Sequence, residues 1–214
     1  SPQLAVGTSL GIISLNALSG TFSYAKQKRI DYRTGIIFAL ATIPGAYLGA
    51  YILQYISEKA FNIGFTIFLI AMAVYMLVNP TPTKNISPSE KNIAPASYNL
   101  PLGIFISFLV GFISSMAGIG GGIVHVPAMI FLFGFPPFIA IPTSHFILAI
   151  SALCGAGSHI MLGGVLWKVV PSLGVGAIIG AQLGAALSHK IRSIWLIRGL
   201  VLAILFVAVR LLLK

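Results

Sequence analysis

The stretch Gly118-Ile119-Gly120-Gly121-Gly122-Ile123-Val124-His125-Val126-Pro127 interrupts an apolar run that extends from about residue 100 to residue 133. Glycine and proline weaken or break helices, and in a bilayer every backbone group that a helix releases needs another hydrogen-bond partner. Broken helices are tolerated at membrane depth where they line a cavity or lie buried in protein, and in transporters such breaks form substrate sites. The stretch therefore predicts a broken helix at a solute site in a membrane protein.

The composition indicates an integral membrane protein made of helices. Of 214 residues, 57% are hydrophobic and 7% are charged, and the mean hydropathy is +1.01. A soluble domain usually carries about 25% charged residues, so this chain could not cover a water-facing surface. Its apolar runs are about 20 residues long and lack strict alternation, which favours helices over a β-barrel.

The net charge of +10 does not indicate a nucleic-acid partner. The 13 Lys and Arg residues lie almost entirely between the apolar runs, as the positive-inside rule requires, and no basic face with interleaved aromatic residues is present. The loop that carries Lys26, Lys28, Arg29 and Arg33 is expected on the cytoplasmic side. Cys154 is the only cysteine, so an intrachain disulfide is excluded.

The sequence predicts an all-α, polytopic membrane protein with about seven transmembrane segments in two homologous repeats. The segments are 4–25, 34–57, 60–78, 100–133 (broken at the glycines), 138–162, 165–188 and 193–213. The first repeat covers residues 1–79, a polar, proline-rich linker covers 80–99, and the second repeat covers 100–214.

The repeat is visible at a shift of 135 residues, which aligns 5–79 with 140–214 without a gap and gives 19 identities in 75 positions. This shift places Thr8-Ser9 on Thr143-Ser144 and the pair Gly45 and Gly49 on Gly180 and Gly184. For these four glycines, spaced by four within unbroken segments, helix packing is the favoured interpretation.

The same shift aligns Ser1 with Pro136, so the first repeat has no equivalent of residues 101–135. We expect that the chain begins about 35 residues late and that the intact protein has two broken segments facing each other, as in repeat-built transporters. If the glycine segment crosses the membrane the repeats are parallel, and if it returns they are inverted. The distribution of Lys and Arg does not decide between these two arrangements.

The glycines themselves are candidate binding residues. Consecutive glycines release N–H groups, and a helix that restarts at about Gly122 or Ile123 adds its positive end, so Gly118, Gly120, Gly121 and Gly122 form a candidate anion site. The alternative is a surface where glycine only allows close helix packing.

Polar residues near the predicted break extend this candidate site. The hydroxyls of Thr8, Ser9, Thr143 and Ser144 either cap helices or donate to a bound oxyanion. His145 follows the second pair and is a candidate hydrogen-bond donor or proton carrier.

Asn16 aligns with Ser151, and each residue lies at the same distance from the Thr-Ser pair of its own segment. Their side chains either line a transport pathway or form hydrogen bonds between helices. His125 is a weaker candidate for the site. His159 and His189 are expected at the membrane interface.

Asp31, Glu58 and Glu90 are the only acidic residues and all are predicted in loops, so nothing in the membrane would neutralise a cation, and an anionic substrate is favoured. The sequence contains no HExxH, GxSxG or Walker-type motif and no set of nucleophile, base and acid, so no enzymatic activity is predicted. No cofactor or metal site is predicted either.

The residues Gly111 to Pro127, with Ala140-Ile141-Pro142-Thr143-Ser144 and Ala5-Val6-Gly7-Thr8-Ser9, resemble the TauE/SafE family of sulfite exporter or DUF81-type permeases over essentially the whole chain. The resemblance implies a multi-pass carrier in the plasma membrane of a bacterium or archaeon, with sulfite, sulfonates or related sulfur and organic anions as substrates. The missing first glycine motif departs from the family, and no role is transferred to His125 or His145.

The leading hypothesis is thus a secondary transporter for a small oxyanion, with the lipid bilayer and a coupling proton or other ion as partners and an oligomer as an option. A channel-like pore for a small solute is the first alternative. A non-transporting membrane subunit that scaffolds a partner is the second.

Overall fold

The computed structural model describes residues 2–53, 55, 57–78, 98–118, 120–161, 163–188 and 193–212. These residues form helices and connecting turns, and no strand occurs among them. The helices are α1 (Pro2–Lys26), α2 (Tyr32–Leu53), α3 (Glu58–Val78), α4 (Leu100–Ala117), α5 (Gly122–Pro127), a π-helical segment (Ala128–Leu132), α6 (Pro137–Met161), α7 (Val170–Ser188) and α8 (Ser193–Leu212).

The predicted segments agree with these helices to within a few residues, and the apolar run from 100 to 133 is broken at the glycines as predicted. Most of the predicted linker lies outside the described residues. Its last two residues are described: Asn99 caps α4 by accepting a hydrogen bond from the N–H of Leu102 at 3.1 Å, and the hydroxyls of Tyr98 and Thr34 lie 2.8 Å apart.

Four helices, α1, α2, α6 and α7, are long and apolar enough to cross a membrane, and shorter apolar helices occupy Ile63–Val78 and Leu100–Met116. Large apolar side chains cover much of the outer surface, including Leu40, Leu183 and Phe206. So large an apolar exterior is suited to lipid rather than water, and it supports a multi-pass membrane protein.

Helices α1 and α6 run antiparallel at the centre of the bundle. Gly7 of α1 faces His159 near the end of α6, whereas Gly20 near the end of α1 faces His145 near the start of α6. Helix α1 runs parallel to α7, because Gly11 faces Val170 and Gln27 donates a hydrogen bond to the carbonyl of Ala185 further along both helices.

The helix bounds recur at the 135-residue shift found in the sequence. Adding 135 to Pro2 and Lys26 gives Pro137 and Met161, the bounds of α6, and Glu58 shifts in the same way onto Ser193, the start of α8. Contacts recur too: Gly11 faces Val170, and the equivalent residues Phe146 and Gly35 face each other.

Helix α4 lies against α2 through glycine contacts that require close backbone approach. Gly45 and Gly49 of α2 face the backbone of Phe108 and Phe112, and Gly111 of α4 faces the backbone of Thr42. Phe38 faces Gly103, Gly45 faces Phe108 and Gly49 faces Phe112, so these contact positions advance together and α2 and α4 run parallel. A side chain at these glycines would clash with a neighbouring main chain, which cannot move aside as a rotamer can.

Helix α5 and the π-helical segment return alongside α4, so the glycine stretch is the tip of a helical hairpin. Gly121 lies against Val110, the His125 ring nitrogen Nε2 is 3.1 Å from Ser107 Oγ, and the ring of Phe133 contacts that of Tyr98. In these contacts the residue numbers decrease along α4 as they increase along the returning arm, so the two arms of the hairpin are antiparallel. Pro127 does not end this arm, and the helix continues past it with π-type bonding.

A buried arginine ties the connection between α1 and α2 to the ends of two other helices. Arg29 donates from Nε to the carbonyl of Phe138 at 3.1 Å and from Nη1 to Ser188 Oγ at 3.2 Å, and its guanidinium lies 3.5 Å from the centre of the Phe138 ring. Burial lowers the pKa of this guanidinium, and the nearby Tyr24 raises it by a smaller amount. The Asp31 carboxylate accepts hydrogen bonds from Thr34 instead.

The α2–α4 packing predicts that Gly45→Leu destabilises the protein by at least roughly 1–3 kcal/mol, because the new side chain overpacks a backbone contact. Thermal unfolding in detergent micelles measures this effect. Gly64→Leu is the matched control, since Gly64 on α3 has no described atom within 4 Å of a Cβ position. Equal midpoints for the two variants would contradict the described packing.

Candidate functional site

The glycine stretch forms a tight turn between α4 and α5 that only glycine adopts without strain. Gly118 ends α4 at φ 64° and Gly120 follows at φ 65°, both in the left-handed region. Helix α5 begins at Gly122, as the sequence predicted, with the N–H groups of Val124 and His125 donating to the carbonyl of Gly121 at 3.2 and 2.9 Å.

The glycine turn lies at the point where α1 and α6 cross. A Cβ at Gly120 would clash with Leu148 of α6 and Ile13 of α1, and these two residues are equivalent at the 135-residue shift. Gly122 also lies near Leu148. The turn is therefore close to the axis that would relate the two halves of the described bundle.

Only some of the backbone N–H and C=O groups in the glycine turn form hydrogen bonds to described residues. Gly118 donates its N–H to the carbonyl of Ser114 at 2.9 Å, and its own carbonyl accepts from Ser9 Oγ at 2.6 Å. Within the described part of the chain, the N–H groups of Gly120, Gly121 and Gly122 donate no hydrogen bond. These three N–H groups stay candidate donors to an anion, as predicted from the sequence.

Thr8 and Thr143 hold connecting loops in equivalent ways. Thr8 Oγ1 accepts from the N–H of Leu166 at 2.9 Å, and Thr143 Oγ1 accepts from the N–H of Asp31 at 3.0 Å. Leu166 and Asp31 are themselves related by the 135-residue shift. The hydroxyl of each threonine therefore joins its helix to a connecting loop, while a helix cap and a bond to an oxyanion, the two interpretations drawn from the sequence, stay predictions.

Asn16 also takes part in helix packing. Its side-chain Nδ2 donates to the carbonyl of Ala177 at 3.1 Å and so joins α1 to α7. Its equivalent Ser151 is buried on α6. For Asn16 this contact matches the interhelical bonding considered for the sequence, while a role in a lined pathway stays a prediction.

Ser144 and His145 differ from the threonines because each leaves a buried polar atom unused. Ser144 Oγ and His145 Nε2 have no hydrogen-bond partner among the described residues. The His145 ring lies against Gly20 and meets the ring of Tyr24 edge to face at 5.7 Å. Buried polar groups without partners are costly and call for an explanation such as a ligand.

The structure places the two Thr-Ser pairs on opposite sides of the glycine turn. Ser9 is four residues before Ile13 and Ser144 is four before Leu148, so each lies about 6 Å along its helix from the turn. Because α1 and α6 are antiparallel, these displacements point in opposite directions. Ser9 contacts the turn directly, whereas Ser144 and His145 lie toward the other end.

Two further polar groups, not predicted as site residues, lie on the Ser9 side. Ser115 Oγ and His159 Nε2 are buried and have no partner among the described residues. His159 packs against Gly7 and is 1% exposed, so its side chain faces the protein, and its predicted position at the membrane interface stays a prediction. His189 lies outside the described residues. The sequence signal for Ser115 was its position three residues before Gly118.

His125 is buried within the hairpin. Its Nε2 pairs with Ser107 Oγ, and its ring stacks on Phe38 with 6.4 Å between the ring centres. Its Nδ1 lies beside Gly121 and has no hydrogen-bond partner among the described residues. His125 therefore joins α2, α4 and α5, and a role in the site stays a prediction.

Comparisons with known proteins identify one family and related membrane transporters. A family model described as "Sulfite exporter TauE/SafE" matches residues 1–211. The chain is 37% identical to the probable membrane transporter protein YunE of Bacillus subtilis (strain 168), over 90% of this chain and 74% of that protein. It is 27% identical to a probable membrane transporter protein of Methanocaldococcus jannaschii, over 88% of this chain and 71% of that protein. No solved structure matches the chain.

The loop contacts predict equal losses of stability for Thr8→Val and Thr143→Val. Each variant leaves one partly buried loop N–H without its acceptor, which costs up to about 1–3 kcal/mol. Urea or thermal unfolding in micelles measures the loss, with Ser172→Ala as a control at an exposed hydroxyl. A loss in only one of the two threonine variants would argue against equivalent roles.

Proposed function

The chain belongs to the sulfite exporter TauE/SafE family, and from this premise we propose that it is a secondary transporter that carries a small anion across a membrane. The family and its relatives support a multi-pass membrane transporter. The substrate class is the step beyond that, and the favoured substrates are sulfite, a sulfonate, or a related sulfur oxyanion or organic acid.

The observation that carries the anion proposal is a set of donors without a described acceptor. These are the N–H groups of Gly120, Gly121 and Gly122 in the glycine turn, and Ser144 Oγ and His145 Nε2, which lie about one helical turn along α6 from Leu148. Oriented N–H and O–H groups in a low-dielectric interior stabilise a negative charge without a formal positive charge.

The distribution of acidic residues also supports a negatively charged substrate. The sequence has three acidic residues, of which Asp31 lies in a loop, Glu58 is the first residue of α3, and Glu90 lies outside the described residues. The helices that cross beside the glycine turn therefore offer no carboxylate to a cation. Desolvating a cation there would have no compensation.

The proposed binding residues follow the geometry of the turn. Gly118, Gly120, Gly121 and Gly122 supply the backbone, and Ser9, Ser144 and His145 supply side chains from α1 and α6. Thr8 and Thr143 act by positioning the loops, and Asn16 by joining α1 to α7. His145 has a ring that can gain and lose a proton, so it is the proposed site for proton coupling.

The transport step follows from inverted repeats. Antiparallel α1 and α6, the recurring helix bounds and the paired threonine contacts support two halves related by an axis in the membrane plane. In such proteins, one half moves against the other about a fixed central site and exposes it to each side in turn. We propose the plasma membrane of a bacterium or archaeon as the location.

Reconstituted protein tests the substrate and the site together. Purified protein in liposomes should move sulfite, sulfoacetate or acetate with saturating kinetics, and Ser144→Ala should raise the KM about ten-fold or more, as expected from losing a hydrogen bond to a charged group. The unfolding midpoint of Ser144→Ala should stay unchanged, because Ser144 Oγ has no partner to lose.

Thr143→Val is the matched control one residue away, and it should lower stability and flux together. The absence of anion flux under any imposed gradient would contradict the proposal. Flux that never saturates and needs no coupling ion would indicate a channel instead of a carrier.

His145→Gln separates binding from coupling. Glutamine keeps a hydrogen-bond donor but does not titrate, so we expect anion exchange to persist while acceleration by a proton gradient is lost. Flux measured with and without a pH difference across the liposome membrane gives the answer. A variant that still responds fully to the pH difference would exclude His145 as the proton carrier.

A further inference from the structure

Arg29 carries a buried positive charge whose hydrogen-bond acceptors are all neutral. Its side chain is 3% exposed. Nε donates to the carbonyl of Phe138, and Nη1 donates to Gln27 Oε1 and to Ser188 Oγ. Nη2 is buried and has no hydrogen-bond partner among the described residues. Because a buried charge is costly unless an opposite charge pairs with it, this guanidinium calls for a negatively charged ligand.

The acidic residue nearest to Arg29 along the chain does not supply that negative charge. The Asp31 carboxylate accepts hydrogen bonds from the hydroxyl and the backbone N–H of Thr34, at 2.7 and 3.5 Å. The sequence has three acidic residues against 13 Lys and Arg residues, so counter-ions from the protein are scarce. A small anion from solution can take their place.

The guanidinium of Arg29 lies on the same side of the glycine turn as His145. Its central carbon is 5.6 Å from the centre of the Tyr24 ring. The Tyr24 ring in turn meets the His145 ring edge to face, with 5.7 Å between the ring centres. A single aromatic ring therefore contacts both the buried charge and a residue of the proposed anion site.

The connection between α1 and α2 also contacts α6 directly beside Ser144. The N–H of Asp31 donates to Thr143 Oγ1 at 3.0 Å, and this contact holds the segment that carries Arg29 against the first turns of α6. Arg29 Nη2, Ser144 Oγ and His145 Nε2 are thus three buried polar atoms on one side of the glycine turn, each without a partner among the described residues.

We infer that Arg29 binds the transported anion through Nη2, and that the anion is the counter-ion of this buried guanidinium. The ligand class is a small oxyanion, because guanidinium N–H groups form short, charge-assisted hydrogen bonds to the oxygens of such anions. The inference rests on the proposed function and deepens it. Arg29 adds a formal positive charge to a pathway whose other proposed donors are backbone N–H groups and uncharged side chains.

The position equivalent to Arg29 in the other repeat carries no charge. The 135-residue shift places Gly164 at the position of Arg29 and Leu10 at the position of His145. Gly164 has no side chain, and its N–H donates to the carbonyl of His159 at 2.7 Å. Of these equivalent positions, only those on the Ser144 side of the glycine turn carry a guanidinium and an imidazole.

The rise in unfolding temperature caused by sulfite tests binding at Arg29 without any transport step. Sulfite should raise the midpoint of the wild-type protein in detergent micelles relative to chloride at equal ionic strength, since a ligand of the folded state stabilises it. Arg29→Gln should lose this rise. Arg33→Gln is the matched control, because it removes the same charge from an exposed residue at the start of α2 and should keep the rise.

Ser188→Ala separates anion binding from the scaffold contacts of Arg29. It removes one acceptor of Nη1 but leaves the charge and Nη2 in place, so it should lower the midpoint without sulfite and keep the rise with sulfite. If Arg29→Gln does not fold, Arg29→Lys decides instead. Lysine keeps the charge but not the fork of N–H groups, so the Kd for sulfite should increase several-fold, and an unchanged Kd would overturn the inference.

Flux in liposomes distinguishes this inference from the proposed function. Arg29→Gln should raise the KM for sulfite about ten-fold or more, as expected from losing a hydrogen bond to a charged group. No sulfite-dependent rise in the wild-type midpoint, or an equal rise in Arg29→Gln, would overturn the inference. Equal KM values for wild type and Arg29→Gln would overturn it while leaving anion transport intact. A rise that depends on Arg29 in a protein without flux would contradict only the proposed function.

Discussion

A backbone group that leaves a helix inside a bilayer must find its hydrogen-bond partner within the protein, and the glycine turn from Gly118 to Gly122 is where this chain meets that requirement. The turn is possible because α1 and α6 cross over it, with Ile13 and Leu148 in contact with Gly120. Ser9 satisfies one freed carbonyl by donating a hydrogen bond to Gly118. The hairpin, the crossing and the candidate site are therefore parts of one arrangement.

Close backbone approach carries the packing around this turn. The α2–α4 contact depends on Gly45, Gly49 and Gly111, where any side chain would meet a main chain. In lipid, where apolar side chains gain nothing by leaving the solvent, small residues at helix contacts give dispersion contacts that larger residues would prevent. The hairpin that holds the glycine turn is thus fixed to α2 along most of its length.

The structure divides the polar residues of the candidate site into two groups. Thr8, Thr143 and Asn16 use their hydrogen-bonding atoms on loops and neighbouring helices, and removing them weakens the scaffold. Ser144 and His145 leave buried polar atoms without a partner among the described residues. Because Thr143 and Ser144 are adjacent, substitutions at these two residues compare an effect on stability with an effect on substrate binding.

Many of the helices could be predicted from the sequence, because each membrane helix is determined by one continuous run of apolar residues. Apolar runs of about 20 residues located α1, α2, α6 and α8 to within a few residues, and the glycines located the break and the restart at Gly122. The 135-residue shift also anticipated the equivalence of Thr8 and Thr143, since repeated folds conserve the contacts that both halves need.

The tertiary structure alone decided how these pieces face each other. No local pattern shows that the segment after Gly118 returns along α4, that α1 and α6 are antiparallel, or that the two Thr-Ser pairs lie on opposite sides of the turn. The sequence aligns Thr8 with Thr143, but only the positions of Leu166 and Asp31 show that each threonine hydroxyl accepts a hydrogen bond from a loop N–H. Sequence determines which residues can form a helix or release a backbone group, whereas contacts between distant segments determine which of those groups remain free to bind.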